Sequence, residues 1–307
     1  MSSDNFNNSN ASARPWFERL DRIDRRWIFL LMFLAVSGPV LWIGITGKTL
    51  PEAPTLAARS VFQEIDQLPA RSLVLISFDY DPASAGELQP MATSLVRQCA
   101  SKNLRMVFIA LWPLGGQSAQ QTIQEVIRED YPAMKEGDDF VNMGFQAGNE
   151  SVMKLLLTDF AKAFPKDSRG EATSNIPMLK SVKNVTDFPL LITIGAGYPG
   201  SKEWVQYVIS ANNEKMNLVV GCTGVSAPQL YPYFPQQIAG LLGAIKGAAE
   251  YESMVNASLA VEGALTPPKY LQAQRRMGPQ LVAHLLMVGL IIVGNVIFFA
   301  RKRRGAA

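Results

Sequence analysis

The residues best suited to chemistry stand where apolar runs end. Leu73, Val74, Leu75, Ile76, Ser77 and Phe78 are followed at once by Asp79, Tyr80, Asp81 and Pro82, which reads as a buried strand ending in a polar turn. Two carboxylates at that spacing, helped by backbone carbonyls, can hold a hard cation, although two alone fall short of a recognisable metal site. As residues at the polar end of a strand they should add less to the core than Val74 or Ile76, so replacing both by alanine is expected to leave the fold standing. A second run ends in Gly195, Ala196, Gly197, Tyr198, Pro199 and Gly200, a GxGxxG spacing that follows a strand and opens a helix. Backbone N–H groups in such a loop can face a phosphate or a carboxylate. Against a dinucleotide stand the loop's late position, Pro199, and a following strand that runs into Gly221, Cys222 and Thr223 with no acidic residue. A tight turn accounts for the same glycines. Gly115 with Gly116 makes another glycine turn, and Gly221 with Gly224 flanks the end of a further strand.

Other chemistries are excluded by what the chain lacks. Its one histidine, His284, sits in a long apolar segment, so Ser/His/Asp and Cys/His mechanisms and a histidine-ligated zinc have no place in the remainder. Cys99 falls on a helix face and Cys222 at a strand end, which favours two buried free thiols over a disulfide. Asp138 and Asp139 read as residues that precede or cap a strand. No cofactor is expected.

The elements that must position these residues follow from periodicity. Strands are expected over residues 73–79, 105–112, 139–143, 188–194 and 217–222. Helices are expected over 84–101, 118–130, 149–164 and 201–211, after a short one beginning near Leu56. A strand that is apolar on both faces belongs in a parallel sheet covered by helices, and strand–helix alternation with right-handed crossovers gives an α/β fold. The expected architecture is a doubly wound parallel sheet, Rossmann-like or flavodoxin-like. Ligands bind such sheets outside the carboxyl ends of the strands, where Asp79, Asp81, Gly115, Gly116, Gly195, Gly197, Gly200 and Thr223 would gather as a candidate ligand site. The polar stretch 166–187 is a surface excursion or a lid over that crevice.

A last helix is expected over residues 236–253, where Ala239, Gly243 and Gly247 would share one face with Gly240 beside them. Small residues at four-residue spacing let another helix approach closely, so Ala239, Gly240, Gly243 and Gly247 are a candidate subunit interface. Glycine also lets a helix sit close on its own sheet, which would explain the same pattern without a partner.

Hydropathy divides the 307 residues differently. Residues 27–47 carry no charge, and residues 281–300 carry no ionisable group but His284. Either stretch can cross ~30 Å of hydrocarbon as a helix. Five arginines precede the first span and Arg301, Lys302, Arg303 and Arg304 follow the second, so the positive-inside rule puts both termini in the cytoplasm. The expected order is a cytoplasmic leader (1–26), a first transmembrane helix acting as an uncleaved signal anchor (27–47), an extracytoplasmic α/β domain (48–276), a second transmembrane helix (281–300) and a basic tail (301–307). Residues 1–13 should be unstructured, whereas 15–26 have the spacing of an amphipathic helix on the inner leaflet.

Residues 48–276 hold 20 basic and 22 acidic side chains, so the chain's overall charge of +3 comes from the membrane flanks, which argues against nucleic acid as a partner. The expected protein is therefore a non-enzymatic, two-pass protein of the cell membrane. Its expected partners are the lipid bilayer and other membrane-protein subunits or further copies of itself, in a larger assembly. The rival expectation is a small-ligand receptor, or an enzyme using carboxylate chemistry, with Asp79 and Asp81 at the centre of the crevice.

Overall fold

A computed structural model describes residues 24–47, 49, 53–212 and 216–305. The expectations for residues 1–23 lie outside the described residues. Contacts divide the chain into two compact units, residues 49–277 and, separately, the two terminal segments.

Six parallel strands form the sheet of the larger unit: β1 (Leu73–Asp79), β2 (Arg105–Ala110), β3 (Phe140–Phe145), β4 (Leu190–Gly195), β5 (Asn217–Cys222) and β6 (Gly240–Gly243). Their order is β3-β2-β1-β4-β5-β6, the Rossmann order of the two expected. All seven side chains of β1 are buried, as a central strand covered on both faces requires. Alternation sends Val74, Ile76 and Phe78 to one core and Leu73 and Leu75 to the other.

The first core lies under α2 (Leu56–Asp66), α3 (Ala85–Ser101) and α4 (Gly115–Thr122, continued by a wide turn to Arg128). The second lies under α5 (Glu150–Leu156), α6 (Phe160–Ala163) and α7 (Ser201–Trp204, widened over Val205–Ile209), with α8 (Ala227–Leu230) beyond β5. Asp159 ends the expected long helix at 157–159 by accepting from Lys162 N at 2.9 Å and starting α6. Ile176, Met178, Leu179 and Val185 of the polar excursion are buried in this second core, so the stretch covers the sheet face beside β3 instead of acting as a lid. Cys99 and Cys222 are free and buried, and burial pushes both thiols up to about 12.

The helix expected over residues 236–253 is corrected. Residues Gly240–Gly243 are the edge strand β6, and α9 begins only at Ala244 (Ala244–Ser258). A Cβ at Gly240 would stand 2.6 Å from Val61 N, so glycine here lets the backbone of α2 cross the strand. Gly247 packs its Cα against Leu242, where a Cβ would come within 2.9 Å of backbone. Ala239, Gly240, Gly243 and Gly247 therefore share no helical face, and the close approaches at Gly240 and Gly247 are to their own chain.

Helix α9 also holds both ends of the unit. Glu250 is buried and accepts from Thr55 N (3.0 Å) and Thr55 Oγ1 (2.7 Å) at the start of α2. Glu252, also buried, accepts from Ala273 N (3.1 Å) and Gln274 N (3.0 Å), two first-turn N–H groups of α10 (Gln272–Gly305). Burial pushes the Glu252 carboxyl up to about 7, against the pull of those N–H donors.

The smaller unit contains α1 (Arg25–Thr46) and the later part of α10. Both helices are long and apolar enough to cross a membrane. Pro39 lies inside α1 without ending it, and Gly47 closes the helix in the left-handed conformation (φ 67°). His284 pairs its Nδ1 with Gln280 O one turn earlier, at 2.8 Å.

Candidate crevice at the carboxyl edge of the sheet

The strand order reverses between β1 and β4, and Asp79 and Gly195 are paired in register at the ends of those strands. Asp79 thus stands at the switch point where a doubly wound sheet opens its crevice. Its side chain, however, is fully buried. Oδ2 accepts from Ser77 Oγ at 2.7 Å and from Trp204 Nε1 at 3.3 Å, while Oδ1 accepts from Leu111 N at 2.8 Å. Its backbone oxygen accepts from Ala196 N at 3.0 Å. Burial pushes the Asp79 carboxyl up to about 6; the three donors pull the other way, and the nearby Glu203 carboxylate adds to the rise. One residue therefore ties together β1, the segment after β2, the loop after β4 and α7.

Asp81 does not join it. That carboxylate accepts from Ser84 N at 3.2 Å and shapes the turn into α3. The pair does not converge on a cation, and among the described residues no group of three or more His, Cys, Asp or Glu could hold a metal ion. The expectation that both carboxylates stand at a polar strand end and add little to the core is corrected for Asp79, which is fully buried with a donor on each carboxylate oxygen.

Gly115 and Gly116 are the first residues of α4 and not a separate turn. A Cβ at Gly115 would overlap Phe78 O, so the helix can lie on the end of β1 only because the residue is glycine. Gly116 accepts from Asn142 Nδ2 at 3.4 Å through its carbonyl. Gly115 thus serves helix-to-sheet packing, whereas a Cβ at Gly116 would meet only ordinary contacts, 3.4 Å or more away.

The loop after β4 is a tight turn. A Cβ at Gly200 would overlap Gly197 O, and Gly197 lies against the Trp112 ring. Gly200 N donates to Glu203 Oε2 at 2.9 Å, so the carboxylate of the following helix occupies the donor that an anion would need. Trp112 Nε1 donates to Pro199 O at 2.7 Å, joining the β2 and β4 loops across the switch point. Beyond β5, Thr223 Oγ1 and Ser226 Oγ are 3.1 Å apart, Ser226 Oγ donates to Ala196 O, and Gly224 N donates to Glu87 Oε2 at 2.9 Å. Glu87 and Glu203 thus place two carboxylates where a phosphate cradle would need free N–H groups.

Open space remains on either side of this bridge. One pocket of ≈ 340 Å³ is lined by Gly195, Tyr198, Lys202, Glu203, Ser226 and Gln229, between the β4 and β5 loops. Another of ≈ 330 Å³ is lined by Trp112, Phe145, Asn149, Tyr198 and Pro199, between the β2, β3 and β4 loops. Tyr198 borders both, and its hydroxyl donates to Glu150.

The candidate ligand residues thus share the carboxyl edge, but Asp79 and Gly115 are buried structural positions and Asp81 shapes a turn. Sequence reasoning missed Ser77, Glu87, Trp112, Glu203 and Trp204. Of these, Glu203 carried a legible signal, since it stands three residues after the helix-opening Gly200, the capping-box spacing. The fold and crevice define an open, all-parallel α/β protein with an apolar helix at each end. No protein-family model, curated protein or solved structure matches this chain.

Proposed function

We propose that this is a twice-anchored membrane protein whose α/β domain acts by association, as a non-enzymatic subunit or scaffold of a membrane assembly. The observation that carries this reading is that polar groups a phosphate ligand would need at the crevice are taken by the chain itself. Asp79 is committed to three internal donors, Gly200 N–H to Glu203, and Gly224 N–H to Glu87. A nucleotide or other phosphate ligand would meet two carboxylates instead of a cradle of N–H groups. The apolar helices α1 and α10 supply the anchors, and the basic flanks favour cytoplasmic termini.

The test is purification in mild detergent from the native membrane, with the mass measured by light scattering and copurifying chains identified. A stoichiometric membrane-protein partner or a defined homo-oligomer is expected; a lone monomer would refute the assembly. The two pockets beside Tyr198 support the second reading, a small-ligand receptor or an enzyme using carboxylate chemistry. A saturable rise in the domain's unfolding temperature with a small molecule, abolished by filling a pocket through Gln229→Trp, would favour it.

A further inference from the structure

We propose that the carboxyl edge of the sheet docks on the surface of the membrane that the chain's own helices enter, with its exposed apolar side chains in the headgroup layer. This rests on α1 and α10 being spans. Among the described residues of 49–277 most large apolar side chains are buried, yet the loops of this one edge expose several. They are Leu114 after β2, Phe145 ending β3, Tyr198 after β4 (58 % exposed), Val225 after β5 (86 %) and Tyr231 beside the end of β6 (57 %). Tyr231 is placed there by its hydroxyl, which a Cβ at Gly243 would meet at 3.6 Å. Exposed apolar side chains gathered on one edge mark an interaction surface, and tyrosine is suited to the boundary between lipid and water.

Chain connectivity selects lipid as the occupant. The Arg276 guanidinium donates to Gly86 O in the first turn of α3, and α3 opens at the carboxyl edge. Thr49 Oγ1 donates to Gln274 Oε1 at 3.1 Å, so the segment entering the domain lies beside the one leaving it. The apolar run at Leu281 begins five residues after Arg276, which is ~8 Å along a helix, and α1 ends three residues before Thr49, at most ~11 Å of extended chain. Tethers this short leave the bilayer surface within reach of the carboxyl edge. Val261 and Leu265, by contrast, lie in the loop after α9, whose far end returns to the amino edge.

The experiment uses the full chain with a single environment-sensitive dye on Val225→Cys, Tyr231→Cys or, as control, Leu265→Cys. Cys99 and Cys222 are buried and should stay unlabelled. The protein is labelled in detergent and reconstituted into phosphatidylcholine–phosphatidylglycerol vesicles, then exposed to nitroxide-bearing lipid or to iodide on both sides. Expected are a blue shift and several-fold stronger quenching by the nitroxide lipid at positions 225 and 231 than at 265, with iodide reaching only 265. Iodide quenching at 225 and 231 equal to that at 265 would overturn the proposal. Protection at 225 and 231 from both quenchers would overturn it in favour of a second copy covering the edge. Alkaline carbonate extraction separates the two levels. A chain washed off the vesicles refutes the anchors and the proposal together, whereas a retained chain with wet labels refutes the docking alone.

Discussion

Replacing Asp79 by alanine removes the acceptor from two N–H groups that cannot turn elsewhere, Leu111 N–H and Trp204 Nε1–H, and from the Ser77 hydroxyl, which can rotate. Each stranded buried donor costs about 1–3 kcal/mol, so the two together predict a loss of about 2–6 kcal/mol. The loss should depend on pH, with a definite sign. The folded carboxyl titrates at about 6 against a usual 3.8, so its contribution to stability is fully present below the unfolded value and is lost as pH rises through about 6. Those two values give a decline of about 2 kcal/mol in the wild type between pH 4.5 and 7 that the alanine variant cannot show. The gap between the proteins should therefore be widest in acid and narrow toward neutrality. Urea unfolding of the full chain in detergent, followed by the near-ultraviolet signal of the tryptophans, measures it at both pH values. A gap below about 0.5 kcal/mol at pH 4.5, or one that widens with pH, would refute the role assigned to Asp79.

Glu252 follows the same sign over a different window: its carboxyl is raised to about 7 from 4.5, so Glu252→Gln should remove about 3 kcal/mol of the fall in stability between pH 4.5 and 8, seen as a flatter midpoint-against-pH curve. Gly240→Val sets a branched side chain against the α2 backbone and should cost several kcal/mol, read as a lower urea midpoint; a midpoint matching wild type would mean that α2 does not cross β6 so closely. Trp112→Phe keeps an aromatic side chain but loses the bond to Pro199 O and part of the indole's contact with Gly197, and should cost at least about 1 kcal/mol while speeding proteolysis at the β4 loop. Protease added to intact spheroplasts should digest residues 49–277 and spare tags at both termini, and loss of either tag would contradict cytoplasmic ends.

Much of the fold was legible because it depends on local pattern. The runs at 73–78, 105–110, 190–194 and 217–222 are apolar on both faces, and that alone places them in a covered parallel sheet. Strand β6 was not legible. Its four residues begin and end in glycine inside a run of small residues whose four-residue spacing imitates a helix face, and what makes Gly240 a strand residue is the approach of Val61, far away in sequence. The crevice was legible as a place, since strand ends at a switch point follow from topology, but not in its contents.

By itself, the sequence determined two apolar segments long enough to span a bilayer, the all-parallel class of the domain between them, and the absence of histidine chemistry from that domain. These depend on composition and on periods of a few residues, which the chain carries wherever it folds. Only tertiary structure decided that Asp79 is enclosed and not presented, because its donors come from Leu111 and Trp204, and that Glu87 and Glu203 take N–H donors of the loops a ligand would use. Whether a carboxylate faces water or its own chain depends on elements brought together from distant parts of the sequence, and no local period records that meeting.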